Sequence, residues 1–255
     1  MKLIAGAQYN RIENGDDDIV RRAGVIYDIT NLVGVKLLYA EAFRGPTAQE
    51  RFSNKANVLQ GNPNVFPEKV TTVDTQVFVN TSKAQYALTY FNSHMEDLIV
   101  RVPLSGSTQT FVNSGEKDIW ELEFEAKLRV SEPLYLTGSA TYQDERDGIL
   151  YIPTTMAKMG VAYEWNNLTV GLFHSYFGKP QENKGTKLNA AANAINLLSL
   201  NATYKLKYYT PMAINVYGSN LLNDDMAYTE FSKGWVNTLP IGPGRAVYGR
   251  LSVEF

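Results

Sequence analysis

The side chains best able to do acid–base or nucleophilic chemistry are scarce in this sequence. Its 255 residues include no cysteine and only two histidines, His94 and His174. A serine hydrolase needs a serine nucleophile hydrogen-bonded to a histidine base, and Ser175 directly follows His174. Neighbours on a strand point to opposite faces, so this pair is not expected to form that hydrogen bond. We predict no catalytic residues and no enzymatic activity.

Acidic side chains occur in two arrangements that could bind a cation or carry out glycosidase chemistry. The consecutive residues Asp16–Asp18 suit a hard cation, but they lack the spacing of a coordination cage. Glu121, Glu123 and Glu125 alternate along one strand face, where nearby cations balance their charge. Those cations are Lys127, Arg129, Lys205 and Lys207. We predict neither a metal site nor a cofactor.

Charge and composition exclude several further classes of protein. The net charge is -2, and the charged residues are not clustered into the basic patch that nucleic-acid binding requires, so no nucleic-acid partner is expected. The lack of cysteine excludes disulfides and cysteine-ligated metals. No stretch approaches the roughly 20 apolar residues of a spanning helix. Any membrane crossing must therefore use strands.

Strict alternation of apolar and polar residues is the dominant pattern of the chain. Between residues 119 and 130, Trp120, Leu122 and Phe124 share one face, whereas the opposite face carries five charges. Those charges cannot face a dry core, so they must face water or a polar lumen while the other face meets lipid. The last strand, 247–255, also alternates and ends on Phe255. A closed barrel leaves no unpaired edge there.

The same pattern predicts an all-β, antiparallel transmembrane barrel with about twelve strands in this chain. The predicted strands are 2–10, 19–29, 32–43, 68–80, 84–102, 110–130, 133–144, 154–165, 167–178, 195–208, 211–222 and 244–255. Long connectors alternate with short turns, as in outer-membrane barrels, whose long loops are extracellular. The long connectors are 11–18, 44–67, 103–110, 145–153, 179–194 and 223–243.

Several short segments together resemble one family. Residues 39–47 (YAEAFRGPT) and 61–69 (GNPNVFPEK) resemble the FRAP and NPNL-KPE segments of TonB-dependent outer-membrane receptors. Residues 220–223 (NLLN) resemble the NLF/LD segment of that family, and Gly115 followed by WELE at 120–123 is similar to another of its segments. Pro243-Gly244-Arg245 and the strand after it resemble the family's C-terminus. The segments occur in the family's order.

The resemblance implies a fold and a function. It implies that residues 1–255 are one domain, the C-terminal portion of a 22-stranded barrel, without the N-terminal plug that such barrels enclose. The implied function is TonB-dependent uptake of an iron siderophore or similar scarce chelate across the outer membrane of a Gram-negative bacterium. Outer-membrane lipid and the barrel-assembly machinery are implied partners, and TonB would act only through the plug. The implied assembly signal is Tyr248, Leu251, Val253 and Phe255.

Ligand contacts are expected on the long loops, because cations and aromatic rings there suit anionic or catecholate chelates. The candidate residues are Arg44, Arg51, Lys55, Tyr151, Lys179, Tyr228 and Trp235. An iron chelate, haem and cobalamin all remain possible ligands. Haem receptors carry a histidine between the two motifs, whereas no histidine lies between Pro46 and Asn62 here. This favours a siderophore.

Two alternatives stay open. The first is an autonomous small outer-membrane barrel, acting as a passive pore or an enzyme, since twelve is an allowed strand number. The second is a soluble β-sandwich, which is disfavoured because the strands are long and one face is charged throughout.

Overall fold

The computed structural model describes residues 1–12, 16–144, 152–180, 192–207, 210–228 and 241–254. Strands form nearly all of the regular structure, together with one short helix. The bounds are β1 Lys2–Ile12, β2 Asp16–Asp28, β3 Val33–Arg44, α1 Ala48–Phe52, β4 Asn54–Lys55, β5 Leu59–Gln60, β6 Glu68–Asn80, β7 Ala84–Ser105, β8 Thr108–Arg129, β9 Leu134–Gln143, β10 Thr155–Trp165, β11 Leu168–Phe177, β12 Ile195–Lys207, β13 Pro211–Ser219 and β14 Ala246–Val253. No helix among the described residues is long and apolar enough to cross a membrane.

Twelve long strands form one sheet in which each strand pairs with its neighbour along the chain, in the order β1-β2-β3-β6 through to β14. The ladders with a described register are antiparallel. The two-residue strands β4 and β5 lie off this path, and β5 makes a single parallel pairing with β8, between Leu59 and Gln109. The predicted antiparallel fold and its twelve strands are confirmed.

The structure corrects two connectors and one strand end. The long connector expected at 11–18 is mostly strand, because β1 extends to Ile12, β2 begins at Asp16, and these two residues pair with each other. A long loop was expected at 103–110, but β7 continues through Pro103 and the connection to β8 is only Gly106-Ser107. Gly106 has a φ of 58°, which the absence of a Cβ permits, so the chain reverses there at once. The strand predicted to run to residue 222 ends at Ser219, because Asn220 has a φ of 45° and begins a turn.

The chain divides into two compact units. The first comprises residues 1–77 and 89–121, and the second comprises residues 78–88 and 122–255; β6, β7 and β8 contribute residues to both. The first unit contains a small core of Leu59, Val65 and Phe111, with Ile99 packed against it. The second unit is built on the consecutive ladders from β9 to β14.

Large apolar side chains on one face of β8 and of β10 are exposed. In β8 of the second unit, Leu122 and Phe124 are exposed, at 39% and 44%, whereas Glu123 is half-buried. In β10, Met159, Tyr163 and Trp165 alternate along one face and are also exposed. Exposed large apolar side chains on one face suit strands that meet lipid on that face.

Placing a charge on each face of β8 tests this assignment. We expect Phe124→Arg to lower the free energy of unfolding of the chain, folded in phospholipid vesicles, by about 2–4 kcal/mol, because the cation would lie in hydrocarbon. The matched variant Glu123→Arg places the same side chain on the opposite face and should cost much less. Urea titration, followed by gel mobility of unheated samples, measures both. Equal losses for the two variants would contradict the outward assignment.

Candidate functional site

The β3–β6 loop, residues 45–67, is anchored by Arg44 at the end of β3. The guanidinium donates to both oxygens of Glu68, from Nε and Nη2, each at 2.6 Å. It also donates to both oxygens of Glu50, from Nη1 and Nη2, each at 3.0 Å. Such paired, charge-assisted hydrogen bonds are the strongest that arginine makes with carboxylates. Arg44 thus joins the end of one strand, the helix α1 and the start of β6.

Helix α1 begins with a capping box that uses the same glutamate. The Thr47 hydroxyl accepts from the backbone N–H of Glu50 at 3.2 Å, and the Glu50 carboxylate accepts from the backbone N–H of Thr47 at 2.6 Å. Partial burial alone would raise the pKa of Glu50, but the hydrogen bonds from Arg44 and Thr47 outweigh it and lower that pKa. Glu50 therefore remains ionised. The spacing Thr-x-x-Glu is the sequence signal of such a cap.

The second half of the loop folds back on α1. Arg51 donates from Nη2 to the carbonyl of Val65 at 2.9 Å, and Gly61 donates its N–H to the carbonyl of Ser53 at 2.7 Å. A Cβ at Gly61 would lie 2.6 Å from backbone atoms of Arg51 and Ser53. Only glycine permits this close approach, which accounts for its place before the Asn-Pro-Asn segment.

Two asparagines connect the β3–β6 loop to the β7–β8 hairpin. Asn62 donates to the carbonyl of Phe111 at 2.9 Å. Asn113 accepts from the N–H of Phe66 at 3.0 Å and donates to the carbonyls of Phe66 at 2.9 Å and Asp97 at 2.7 Å. The buried core lies beneath these contacts. The loop and the hairpin therefore form one packed body in the first unit.

Three of the candidate ligand residues lie in the β3–β6 loop or at its start, in different surroundings. Arg44 and Arg51 are engaged by carboxylates and by a backbone carbonyl of the same unit. Lys55 lies in β4 and is exposed. Tyr151 and Trp235 lie outside the described residues.

The second unit contains an apolar pocket of about 320 Å³ near the ends of β11 and β12. Tyr228 lines it, and Lys179 is exposed and lies in the chain between the lining residues Gly178 and Pro180. The other lining residues are Pro153, Phe177, Asn193, Ile195, Leu197 and Ala227. Of the candidate ligand residues, Tyr228 therefore lies in this pocket, and Lys179 is next to it in the chain.

The turn after β13 holds the segment that carries Tyr228. Asn220 is 4% exposed; its side chain accepts from the N–H of Asp224 at 2.9 Å and donates to the carbonyls of Asp224 at 3.0 Å and Pro243 at 3.2 Å. The Asp224 carboxylate in turn accepts from the N–H of Asn196 at 2.6 Å, at the start of β12. The Asn-Leu-Leu-Asn segment singled out in the sequence is thus the positioning element of this end of the unit.

Three of the four residues expected to form the assembly signal lie on the last described strand, β14. Tyr248 pairs with Tyr217 of β13, and their rings stack with centroids 6.2 Å apart. Leu251 and Val253 pair with Ile214 and Met212 of β13. Tyr248 and Leu251 are exposed. Phe255 lies outside the described residues.

The two histidines lie in β7 and β11. The ring of His94 is hydrogen-bonded through Nδ1 to Asp118 at 2.7 Å. His174 pairs with Met159 and Leu198, whereas Ser175 pairs with Lys158 and Leu197, so their side chains project to opposite faces. Within the described part of the chain, no three His, Cys, Asp or Glu residues are grouped so that they could hold a metal ion.

Comparison with known proteins gives a consistent result. A family described as "TonB dependent receptor-like, beta-barrel" matches residues 1–221. The search of curated proteins gave no match.

Several solved structures resemble the chain in fold. A mutant ferric enterobactin receptor, PfeA, from Pseudomonas aeruginosa in complex with enterobactin has a TM-score of 0.80 and 18% identity, with 98% of this chain and 42% of that chain covered. The siderophore receptor PirA from Acinetobacter baumannii has a TM-score of 0.77 and 16% identity, with 98% and 43% covered. The copper transporter OprC has a TM-score of 0.69 and 18% identity, with 94% of this chain and 40% of that chain covered. The chain therefore spans about two fifths of these structures.

Removing the Arg44 guanidinium tests whether it organises the β3–β6 loop. In Arg44→Ala, Glu50 and Glu68 lose their shared cation, and we expect amide hydrogens at 45–67 to exchange about 5- to 30-fold faster, equivalent to one or two kcal/mol. Arg44→Lys keeps the charge but not the paired geometry, and should be intermediate. Hydrogen exchange read by mass spectrometry gives the rates. The control is Lys55→Ala in the same loop; an equal effect there would show that Arg44 has no special role.

Substitution of Asn220 separates its backbone and side-chain roles. Asn220→Gly tolerates the positive φ but loses three hydrogen bonds, so we expect a loss of about 1–3 kcal/mol in the free energy of unfolding. Asn220→Ala adds the left-handed strain of about 1 kcal/mol or more. Urea unfolding followed by tryptophan fluorescence measures both. Asn166, with a φ of 52° in the β10–β11 turn, provides the control: Asn166→Gly should be nearly neutral. A neutral Asn220→Gly would refute the positioning role.

Proposed function

Because the chain belongs to the TonB-dependent receptor-like β-barrel family, we propose that it acts in the uptake of a ferric siderophore across the outer membrane of a Gram-negative bacterium. The observation that carries this proposal is the family match over residues 1–221, which includes eleven of the twelve long strands. Proteins of this family are outer-membrane transporters rather than enzymes. The exposed apolar faces of the strands support a location in lipid.

The choice of a siderophore rests on the fold neighbours and on the sequence. PfeA and PirA are described as a ferric enterobactin receptor and a siderophore receptor. OprC, described as a copper transporter, makes copper the second candidate. Copper sites favour cysteine, methionine and histidine ligands; this chain has no cysteine, two histidines and six methionines, so methionine is the soft ligand that copper uptake would use. The lack of a histidine between Pro46 and Asn62 favours a siderophore over haem.

The candidate ligand residues receive two roles in this proposal. Arg44 and Arg51 position the β3–β6 loop, because their hydrogen bonds are made within it and with β6. The contacts to an anionic chelate come from exposed residues. These are Lys55, Lys179 and Tyr228. Tyr151 and Trp235 remain candidate contacts from the sequence alone, because they lie outside the described residues.

The proposal also includes two protein partners. TonB would supply energy through a plug domain, and the barrel-assembly machinery would recognise the last strand through Tyr248, Leu251, Val253 and Phe255. The pairing of β14 with β13 supports the second contact, because it aligns Tyr248, Leu251 and Val253 along a regular strand.

Uptake by cells tests the function directly. We expect cells that express the protein from its own locus to accumulate radioactive iron supplied as a ferric siderophore. Accumulation should fall to background both when the locus is deleted and when TonB is removed from an otherwise identical strain. Uptake that persists without TonB would contradict active import and favour a passive pore.

A point variant tests the contribution of the loop cation. Lys55→Ala should raise the half-saturating concentration of an anionic ferric chelate about 2- to 5-fold, the range of one exposed ion pair. The difference should shrink at high salt. Lys83→Ala, in the short β6–β7 turn, is the control of equal charge change. The same increase in both variants would remove Lys55 from the binding surface.

A further inference from the structure

A depression of about 410 Å³ crosses β9 to β13 in the second unit. It lies on the face opposite the exposed side chains of Met159, Tyr163 and Trp165, because Gly160 and Ala162 of its lining alternate with them along β10. All of its lining residues belong to described strands. Its volume is within the range of small-molecule sites. We call this depression the β9–β13 trough.

Two adjacent rungs of the sheet form the trough. In the first rung, residues of successive strands pair in the order Thr137, Gly160, Phe173 and Ser199. In the second rung, the order is Tyr135, Ala162, Gly171, Asn201 and Tyr217. Small side chains in the second rung therefore lie between two tyrosines, and the phenylalanine of the first rung borders them.

Glycine keeps the floor of the trough low. A Cβ at Gly171 would have only the backbone oxygen of Asn201 within 4 Å, at 4.0 Å, so the space above this residue is open. A Cβ at Gly160 would lie 2.6 Å from the Thr137 hydroxyl and 3.1 Å from the Phe173 ring. The ring and the hydroxyl therefore occupy the space next to Gly160, and the trough is deepest beside them, at Gly171.

The trough is elongated across the strands. Tyr135 and Tyr217 lie four strands apart in the sheet, which is roughly 19 Å at about 4.8 Å per strand. The rings of Tyr135, Phe173 and Tyr217 are exposed. Aromatic rings at both ends and along one side provide flat apolar surfaces against which the faces of successive ligand rings can pack.

Unused hydrogen-bonding groups line the same surface. The side-chain oxygen of Asn201 accepts from the Asn215 amide at 2.5 Å. The NH₂ group of Asn201 has no partner among the described residues, and neither do the hydroxyls of Thr137, Ser199 and Tyr217. An amide and a hydroxyl can each bond to a ligand hydroxyl. The trough therefore combines aromatic surfaces with uncharged donors and acceptors.

Charged residues flank the trough but do not line it. Its lining, which is described throughout, contains no charged residue. Lys158 and Glu164, of opposite sign, lie on the same face of β10, two residues before Gly160 and two residues after Ala162. The Arg129 guanidinium lies 5.6 Å from the centroid of the Tyr135 ring. The surface that a ligand in the trough would touch is therefore aromatic and uncharged.

We propose that the β9–β13 trough binds a neutral saccharide chain. A pyranose ring has an apolar C–H face and an edge of hydroxyl groups, which match the two kinds of surface in the trough. The C–H faces pack against Tyr135, Phe173 and Tyr217. The ring hydroxyls bond to Asn201, Ser199 and Thr137. This site goes beyond ferric uptake and does not depend on it.

Binding of a saccharide probe tests the proposal. The protein is purified from outer membranes of cells that express it from its own locus and is reconstituted in phospholipid vesicles, with protein-free vesicles as the blank. The probe is maltotriose, a neutral chain of pyranose rings, and the control ligand is sorbitol, which has hydroxyl groups but no ring. Saturation-transfer NMR detects the ligand protons that contact the protein. We expect maltotriose to bind with a dissociation constant of about 1–10 mM, and sorbitol at least about 10-fold more weakly.

Two results of that measurement would overturn the saccharide site. The first is equal transfer to maltotriose and sorbitol, which would mean that ring packing contributes nothing. The second is no transfer to maltotriose, which would assign the trough to a side chain of another polypeptide segment. Neither result bears on ferric uptake, which is measured separately in cells.

Matched glycine variants locate the bound saccharide. Gly171→Val places a side chain in the trough and should weaken maltotriose binding at least about 5-fold. Gly138 pairs with Met159 on the opposite face of the sheet, where a Cβ would meet only the backbone oxygen of Lys158, at 3.7 Å. Gly138→Val should therefore leave binding unchanged. Equal binding by the two variants would place the saccharide outside the trough and overturn the proposal.

Two further variants keep the test decisive if Gly171→Val does not fold, which gel mobility of unheated samples shows. Phe173→Ala should weaken maltotriose binding about 3- to 10-fold. Its control is Tyr163→Ala, which removes a ring of similar exposure, 40% against 44%, from the opposite face. Ser199→Ala removes one hydroxyl and should weaken binding about 2- to 5-fold. Unchanged binding by folded Phe173→Ala and Ser199→Ala would overturn the site.

Discussion

Backbone pairing between sequence neighbours is the constraint on which the rest of the structure depends. Each long strand hydrogen-bonds to the next along the chain. Paired residues of neighbouring strands have their side chains on the same face of the sheet, so the register of each ladder decides which residues share a face. Where water is absent, every backbone donor and acceptor must be satisfied in this way. The apolar residues of neighbouring strands therefore fall on one face of the sheet, and the polar residues on the other.

The specialised parts of the molecule arise where the ladder stops. At the end of β3, Arg44 replaces backbone pairing by four hydrogen bonds to two carboxylates, and the loop beyond it acquires its own helix and core. At the end of β13, Asn220 replaces the ladder by three side-chain bonds. In both places a polar side chain makes the hydrogen bonds that backbone pairing no longer supplies. The segments so fixed carry the residues assigned to ligand contact.

The strands and their faces could be predicted because apolar and polar residues alternate along the sequence with a period of two. The Gly106-Ser107 turn was missed because Pro103 was interpreted as the end of a strand, whereas β7 runs through it. The surroundings of Arg44 could not be predicted, since one of its partners, Glu68, lies 24 residues away. The capping box of Thr47 and Glu50 has a recognisable sequence spacing, but residues 44–67 were predicted only as a long connector. The pocket near Tyr228 depends on bridges between distant connectors, which no local pattern reveals.

The contact of the β3–β6 loop with the β7–β8 hairpin has a consequence for the order of folding. Most pairings join neighbouring strands and can form hairpin by hairpin, but Asn62 reaches Phe111 across 49 residues. That contact requires β6, β7 and β8 to be aligned first, because the entropy of closing so long a loop is recovered only when both partners are already in place. The loop bearing the Asn-Pro-Asn motif is therefore among the last parts of the first unit to become native, and a chain halted during insertion would present it unfolded.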